Sequence, residues 1–128
     1  RVFRLVRDAR DAATDFVRAA AREGRAIRGA EVDDVSRRII ERAGYGEQFT
    51  HRTGHSIGEE VHGNGAHIDN LETRDSRRII PRTGFSIEPG IYLEGKFGVR
   101  SEINLYVTDK DIEVTGYPRR NKRPTKEG

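Results

Sequence analysis

The chain has 128 residues, 24 of them Lys or Arg and 21 Asp or Glu, and it lacks cysteine, methionine and tryptophan. This length predicts one domain with a lean core, and the missing cysteines exclude a disulfide framework and a thiolate metal site, so a metal would need His, Asp or Glu ligands. No apolar run reaches the ~18 residues of a membrane span, and a net charge of +3 with interleaved signs does not indicate a nucleic-acid partner.

Two amphipathic helices are predicted in the first third of the chain. Apolar residues recur at helical spacing over 2–20, which predicts a helix that ends near Gly24. A second helix is predicted over 31–43, where Gly44 supplies a C-terminal stop. Each helix has one apolar stripe, so both need a common surface to pack on.

After residue 48 the helical period disappears and short β-rich runs predict the strands 56–61, 84–87, 90–93, 99–107 and 112–114. The order of these elements predicts an α+β domain in which two helices pack on an antiparallel sheet. The polar segment 64–78 is predicted to be a long loop, a type of segment that is often functional. We expect the basic tail 119–128 to be a solvated, partly disordered terminus, the alternative being contact with an acidic partner.

Two glutamates are predicted to face each other across a hairpin. If the strands on either side of a turn at 94–96 pair, the residue numbers of each directly opposed pair add up to about 190. Glu88 and Glu102 meet this condition and would face each other. Opposed residues lie roughly 4.5–5.5 Å apart at Cβ, where like charges destabilise the sheet. We expect both strands to be partly buried and the pair of carboxylates to need neutralisation. A shared proton would neutralise the pair, but a divalent cation suits the oxygens better. Pro89 weakens this register, since proline interrupts a ladder.

Three of the four histidines, His51, His55 and His62, lie within twelve residues. His51 and His55 share a face of an extended strand, whereas His62 would lie on the opposite face, so convergence of all three needs a bend. Gly54 and Gly58 could provide it through a bulge or a close backbone approach. The alternative is that one or two of these are hydrogen-bonded surface histidines. His67, in the polar loop, is given no function.

Four segments in this order resemble the signatures of the metal-dependent Xaa-Pro peptidases: HRTGHSIGEEVH, NLETRDSRRIIP, GFSIEPGIYL and FGVRSEI. This family, M24, comprises the prolidases and aminopeptidases P, which have the pita-bread fold. The resemblance covers residues 1–107 and implies that 1–118 form the C-terminal portion of the catalytic domain, with its helices on a curved antiparallel sheet.

The resemblance also implies roles for individual residues. It makes His55, Glu88 and Glu102 metal ligands, and Glu102 the one that bridges two ions. His62 corresponds to a histidine that hydrogen-bonds the substrate and assists proton transfer, and His51 to a histidine near the proline ring. The two remaining residues correspond to arginines: Arg100 supports the carboxylate end of the site, and Arg74 holds the substrate's free carboxylate.

The implied reaction is hydrolysis of the peptide bond before proline by a hydroxide that bridges two divalent ions. Oxygen ligands with one imidazole favour manganese, with cobalt and zinc as alternatives. The family site also has two aspartate ligands upstream of the first helix, and Asp8, Asp11 and Asp15 come too late in the chain to replace them. We therefore expect a part of a longer polypeptide, an expectation that the missing methionine supports, and an inactive isolated chain.

The resemblance implies a proline-containing peptide as the partner. The interleaved charges and the missing apolar span predict no nucleic-acid and no membrane partner. We expect a cytoplasmic protein and a homo-oligomer, specifically a dimer. The alternative function is a non-catalytic peptide- or protein-binding module on a peptidase-like scaffold.

Overall fold

A computed structural model describes residues 1–57 and 65–116 of the chain. Two helices come first, α1 over Val2–Glu23 and α2 over Gly29–Arg42. They are followed by a short 3-10 turn and by six strands: β1 Ser56–Ile57, β2 Thr83–Ile87, β3 Gly90–Leu93, β4 Phe97–Arg100, β5 Ile103–Val107 and β6 Ile112–Thr115. The predicted α+β order is confirmed. His62, Gly58 and the basic tail 119–128 lie outside the described residues.

The helix predictions are confirmed, with one boundary corrected. Helix α1 ends at Gly24, which adopts a left-handed conformation with φ of 69°. Helix α2 begins two residues earlier than predicted, because the Glu31 carboxylate accepts the Arg28 N–H at 2.7 Å and caps the first turn. No helix of the described residues is long and apolar enough to cross a membrane.

The strands form two antiparallel sheets. Four strands pair in the order β1-β2-β5-β6, and β3 pairs with β4 as a separate ribbon. The predicted continuous strand 99–107 is wrong, since it is interrupted at residues 101 and 102 between β4 and β5. Of the predicted strand 56–61, only Ser56–Ile57 is observed among the described residues.

Both helices pack on this β structure as their apolar stripes require. Ala13 and Val17 of α1 join Phe85 and Leu105 of the larger sheet in one buried cluster. A second buried cluster unites the start of α1, Ile40 of α2 and Ile91 of the ribbon. Both helices therefore bury apolar residues in clusters that they share with the strands.

The segment 65–78 contains no helix or strand, as predicted, but it has defined hydrogen bonds. The Asp69 carboxylate accepts the backbone N–H groups of Leu71 and Glu72 at 2.9 and 3.0 Å. The Asp75 carboxylate accepts the N–H of His67 at 2.8 Å and pairs with Arg77. These two buried aspartates supply the acceptors that a regular element would otherwise provide.

Candidate metal centre

Glu88 and Glu102 lie opposite each other at a break between two stretches of hairpin ladder. The partner numbers add up to 190 throughout, from the pair of Thr83 and Val107 to the pair of Leu93 and Phe97. The predicted register is therefore confirmed. Neither glutamate belongs to a strand, because proline has no N–H to donate and residue 89 interrupts the ladder.

The two carboxylates differ in their exposure. Only 13% of the Glu88 side chain is exposed, but Glu102 is exposed. Glu88 lies between the histidine segment and the hairpin partner, since its N–H donates to the Thr53 carbonyl at 2.6 Å.

His55 approaches both glutamates. One ligand atom each from His55, Glu88 and Glu102 lies within 4.8 Å of the other two. Imidazole nitrogens and carboxylate oxygens bind divalent ions such as Zn²⁺ at about 2.0–2.2 Å, so small side-chain movements would bring all three onto one ion. The three residues that the family resemblance implies as ligands are thus brought together.

The hydrogen bonds of His55 fix how its ring faces Glu88. Its Nδ1 lies 3.0 Å from the Ser56 carbonyl oxygen, which can only accept, so Nδ1 carries the ring proton. In the neutral ring, Nε2 presents its lone pair to Glu88 Oε2 at 3.1 Å. Two acceptors repel at this distance unless a proton or a cation lies between them.

Ser86, which the sequence analysis did not single out, orients two of the candidate ligands. Its hydroxyl donates to Glu88 Oε2 at 2.8 Å and accepts the backbone N–H of His55 at 3.0 Å. Ser86 lies two residues before Glu88, and side chains two apart share a face of a strand. This two-residue spacing is the feature of the sequence that could have indicated Ser86 as a partner of Glu88. Hydrogen bonds of this kind to the residues that bind a metal orient them and fix their geometry.

His51 belongs to a neighbouring part of the same region. Its Nδ1 lies 2.7 Å from the Arg52 carbonyl, so Nε2 is the acceptor for the Tyr92 hydroxyl, also at 2.7 Å. Burial raises the pKa of Tyr92, so the phenol stays a donor at neutral pH. Tyr92 was not predicted as a site residue. The feature of the sequence that could have indicated it is the pair of glycines, Gly90 and Gly98, whose missing side chains leave room for the Tyr92 ring.

Gly54 allows the histidine segment to approach the sheet. A Cβ on Gly54 would lie 1.8 Å from the Ser86 carbonyl oxygen. The close backbone approach offered in the sequence analysis is therefore the role of this glycine. His51 and His55 contact different partners, Tyr92 and Glu88, instead of presenting one shared face.

The two predicted arginines and His67 have different surroundings. Arg100 Nη1 lies 3.6 Å from Glu88 Oε1, at the edge of the cluster. Arg74 is exposed, and within the part of the chain that the structure describes its side chain forms no ion pair. His67, to which no function was given, accepts the Ser56 N–H on Nδ1 at 2.9 Å. Burial, assisted by nearby arginines, lowers the pKa of His67 and favours this neutral form.

Comparison with known proteins defines the class of this chain. Residues 1–109 match the model of metallopeptidase family M24, and the chain belongs to this family. It is 41% identical over 125 residues to an Xaa-Pro dipeptidase of Lactobacillus helveticus, covering 88% of this chain and 31% of the relative. A second Xaa-Pro dipeptidase, from Lactobacillus delbrueckii subsp. lactis, is 42% identical over 103 residues.

Solved structures agree. A prolidase from Thermococcus sibiricus superposes with a TM-score of 0.76 at 37% identity, covering 91% of this chain and 29% of that chain. An X-Pro aminopeptidase from Thermotoga maritima gives 0.75 at 37% identity, over 92% and 31%. The fold is that of the pita-bread prolidases. The chain spans 31% of the length of the L. helveticus dipeptidase and 25% of the L. delbrueckii one.

Proposed function

We propose that this chain supplies part of the active site of an Xaa-Pro peptidase, which hydrolyses the peptide bond before proline with two divalent metal ions. Membership in family M24 and similarity to Xaa-Pro dipeptidases and prolidases support this function. The observation that carries it is the 3.1 Å approach of His55 Nε2 to Glu88 Oε2, with a Glu102 oxygen in the same cluster. Such a group of acceptors is stable when a cation neutralises it.

The donor set fits hard or borderline cations, and manganese is our proposal, ahead of cobalt and zinc. When bound, the ions would supply Lewis-acid activation of water and of the scissile carbonyl. The protein's part is to hold the ligands in place. Ser86 holds the Glu88 carboxylate, and the Ser56 carbonyl keeps Nε2 of His55 free to bind.

Four further residues have proposed roles around the ligands. Arg100 balances the negative charge of Glu88 from 3.6 Å. We propose that His51, whose Nε2 lies 2.7 Å from the Tyr92 hydroxyl, borders the pocket for the proline ring. For His62 we propose a hydrogen bond to the substrate and assistance in proton transfer, and for Arg74 a contact with the free carboxylate of a dipeptide.

Three protein ligands leave most coordination positions of two ions to other groups. We therefore propose that this chain by itself binds metal weakly and is inactive, and that activity requires further ligands, two of them aspartates. The partner of the whole site would be a proline-containing peptide. A cytoplasmic homodimer without nucleic-acid or membrane partners stays a prediction, which sedimentation and cell fractionation would test.

Calorimetric titration of the 128-residue chain with Mn²⁺ tests the proposed centre. We expect weak binding that Glu102→Ala abolishes and that His55→Ala weakens by more than about tenfold, since loss of even an outer-shell partner costs about 10–100-fold. Glu94→Ala is the matched control, because Glu94 is an exposed glutamate in the turn of the same hairpin. It should bind Mn²⁺ as the unmodified chain does.

Binding that survives both substitutions would contradict the ligand assignment. A parallel titration with an Xaa-Pro peptide separates the alternative function. If the peptide binds equally well with and without Mn²⁺, a metal-independent binding module explains the chain better than a peptidase site.

A further inference from the structure

We infer that a buried ion pair on α2, Asp33 with Arg37, positions the histidine segment 51–55 for its role in the site. This inference rests on the function proposed above. The Asp33 side chain is fully buried, and that of Arg37 is 10% exposed. Arg37 Nε and Nη2 donate to the two Asp33 oxygens at 3.0 and 3.1 Å. Such a pair is weak evidence for stability, because removing both charges from water offsets their attraction. Its contacts point to specificity instead.

Arg37 uses its remaining donors on the backbone that carries His51. Nη1 donates to the Phe49 carbonyl at 3.1 Å, and Nη2 donates to the His51 carbonyl at 2.8 Å. The guanidinium also lies 4.0 Å from the centre of the Phe49 ring, which itself packs edge-on against the His51 imidazole. Arg37 thus fixes both the backbone of His51 and one face of its ring environment.

Asp33 binds the same segment at Thr53, two residues after His51. Its Oδ1 accepts the backbone N–H of Thr53 at 2.9 Å and the Thr53 hydroxyl at 2.6 Å. The Thr53 carbonyl in turn accepts the N–H of Glu88. One carboxylate therefore links α2, through Thr53, to a candidate metal ligand on the hairpin.

The second loop beside the site is tied to the same carboxylate. Asp33 Oδ2 accepts the N–H of Asn70 at 3.1 Å, and the Asn70 side chain donates to Asp34 at 2.8 Å. Asn70 follows His67, which accepts the N–H of Ser56 next to His55. The segments on both sides of His55 are therefore anchored to one helix turn, so α2 sets the position of His55 relative to the hairpin.

Lysine cannot replace this arginine. Arg37 makes four hydrogen bonds from three nitrogens in a fixed plane, whereas a lysine has three donors on one atom. Arg37→Lys keeps the positive charge that balances Asp33 but loses the simultaneous hydrogen bonds to the Phe49 and His51 carbonyls. Thr53→Val is a milder test, since it removes one hydroxyl and leaves the ion pair in place.

The experiment combines histidine side-chain ¹⁵N NMR with Mn²⁺ titration on the 128-residue chain. Tyr92→Phe provides the reference spectrum of a His51 ring without its phenol hydrogen bond. We expect Arg37→Lys to shift the His51 signals toward that reference and to weaken Mn²⁺ binding about tenfold. Thr53→Val should move the His51 and His55 signals less, and should lower the melting temperature by several degrees, because a buried hydroxyl that bonds Asp33 and Ser36 is lost. Arg38→Lys, at an exposed position on the same helix, is the control and should leave both readouts unchanged.

Unshifted histidine signals in both Arg37→Lys and Thr53→Val would overturn the inference. If Arg37→Lys does not fold, Thr53→Val alone decides. If neither folds, the pair is a requirement for folding and the positioning role is rejected. A 128-residue chain that binds no Mn²⁺ at all would contradict the proposed metal binding by this chain alone, while the His51 spectra would still decide whether the ion pair positions the ring.

Discussion

Gly54→Ala should separate the histidine segment from the sheet and disrupt the candidate site. The added Cβ would lie 1.8 Å from the Ser86 carbonyl oxygen and 2.7 Å from its carbon, both backbone atoms that cannot rotate away. Ordinary contact begins near 3.4 Å, so the two backbones must part by about 1.6 Å. The substitution therefore forces a movement of the strand or of the segment.

Three hydrogen bonds cross the same interface and would be lost. They join His55 N–H to Ser86 Oγ at 3.0 Å, Ser86 N–H to the His55 carbonyl at 2.9 Å, and Glu88 N–H to the Thr53 carbonyl at 2.6 Å. Lengthened by about 1.6 Å, none meets hydrogen-bond geometry. At about 1 kcal/mol each, the free energy of unfolding should fall by about 3 kcal/mol, a large share of the 5–15 kcal/mol that is typical of a domain.

Urea unfolding followed by circular dichroism measures this loss, and Mn²⁺ titration measures the effect on the site. Gly84→Ala is the matched control on the neighbouring strand, where the new Cβ would meet the Leu105 carbonyl oxygen at 3.3 Å and needs only a slight adjustment. We expect Gly84→Ala to change stability by less than about 1 kcal/mol. Equal stability and equal Mn²⁺ affinity in the two variants would refute the close-approach argument.

Two further predictions concern the polar loop. In the full-length peptidase that we propose, Arg74→Ala should lower kcat/KM for an Xaa-Pro dipeptide more than for a longer Xaa-Pro peptide, and an equal loss on both would refute a carboxylate contact. Burial alone would raise the pKa of Asp75, but hydrogen bonds from Arg77 and from the His67 N–H outweigh it and hold the pKa below its usual value. The Asp75 carboxyl of the unfolded chain therefore binds a proton near its ordinary pKa of about 3.9, whereas that of the folded chain stays ionised to a lower pH. The free energy of unfolding consequently falls as the pH drops below about 4. In urea unfolding between about pH 2 and 5, Asp75→Asn should reduce this loss of stability at low pH, and an equal pH dependence in the two chains would contradict it.

The elements that periodicity and turn chemistry determine could be predicted from the sequence. The apolar stripe of α1 and its glycine cap gave the helix to within a few residues, because both signals are local. The hairpin register was also predictable, since the turn at 94–96 sets every later pairing once one is fixed. The two opposed glutamates followed from that register alone.

The buried polar partners could not be predicted in the same way. Ser86, Tyr92 and Asp33 occupy ordinary positions in their elements, and nothing in the local pattern indicates their distant partners. Ser86 binds His55 across 31 residues, Tyr92 binds His51 across 41, and Asp33 binds Thr53 across 20, so only the tertiary packing decides these contacts. The family resemblance implied candidate ligands, but not the groups that hold them.

The two edges of β2 explain how the hairpin and the histidine segment form one site. Successive N–H groups of an extended strand point to opposite edges, so β2 can pair on both sides. On one edge it pairs with β5, in the register that places Glu102 opposite Glu88. On the other edge the N–H groups of Ser86 and Glu88 donate to the carbonyls of His55 and Thr53, which continues the register between β1 and β2. Pro89 interrupts the hairpin ladder only, so this central segment brings a histidine from one neighbour and a carboxylate from the other to the same end of the sheet.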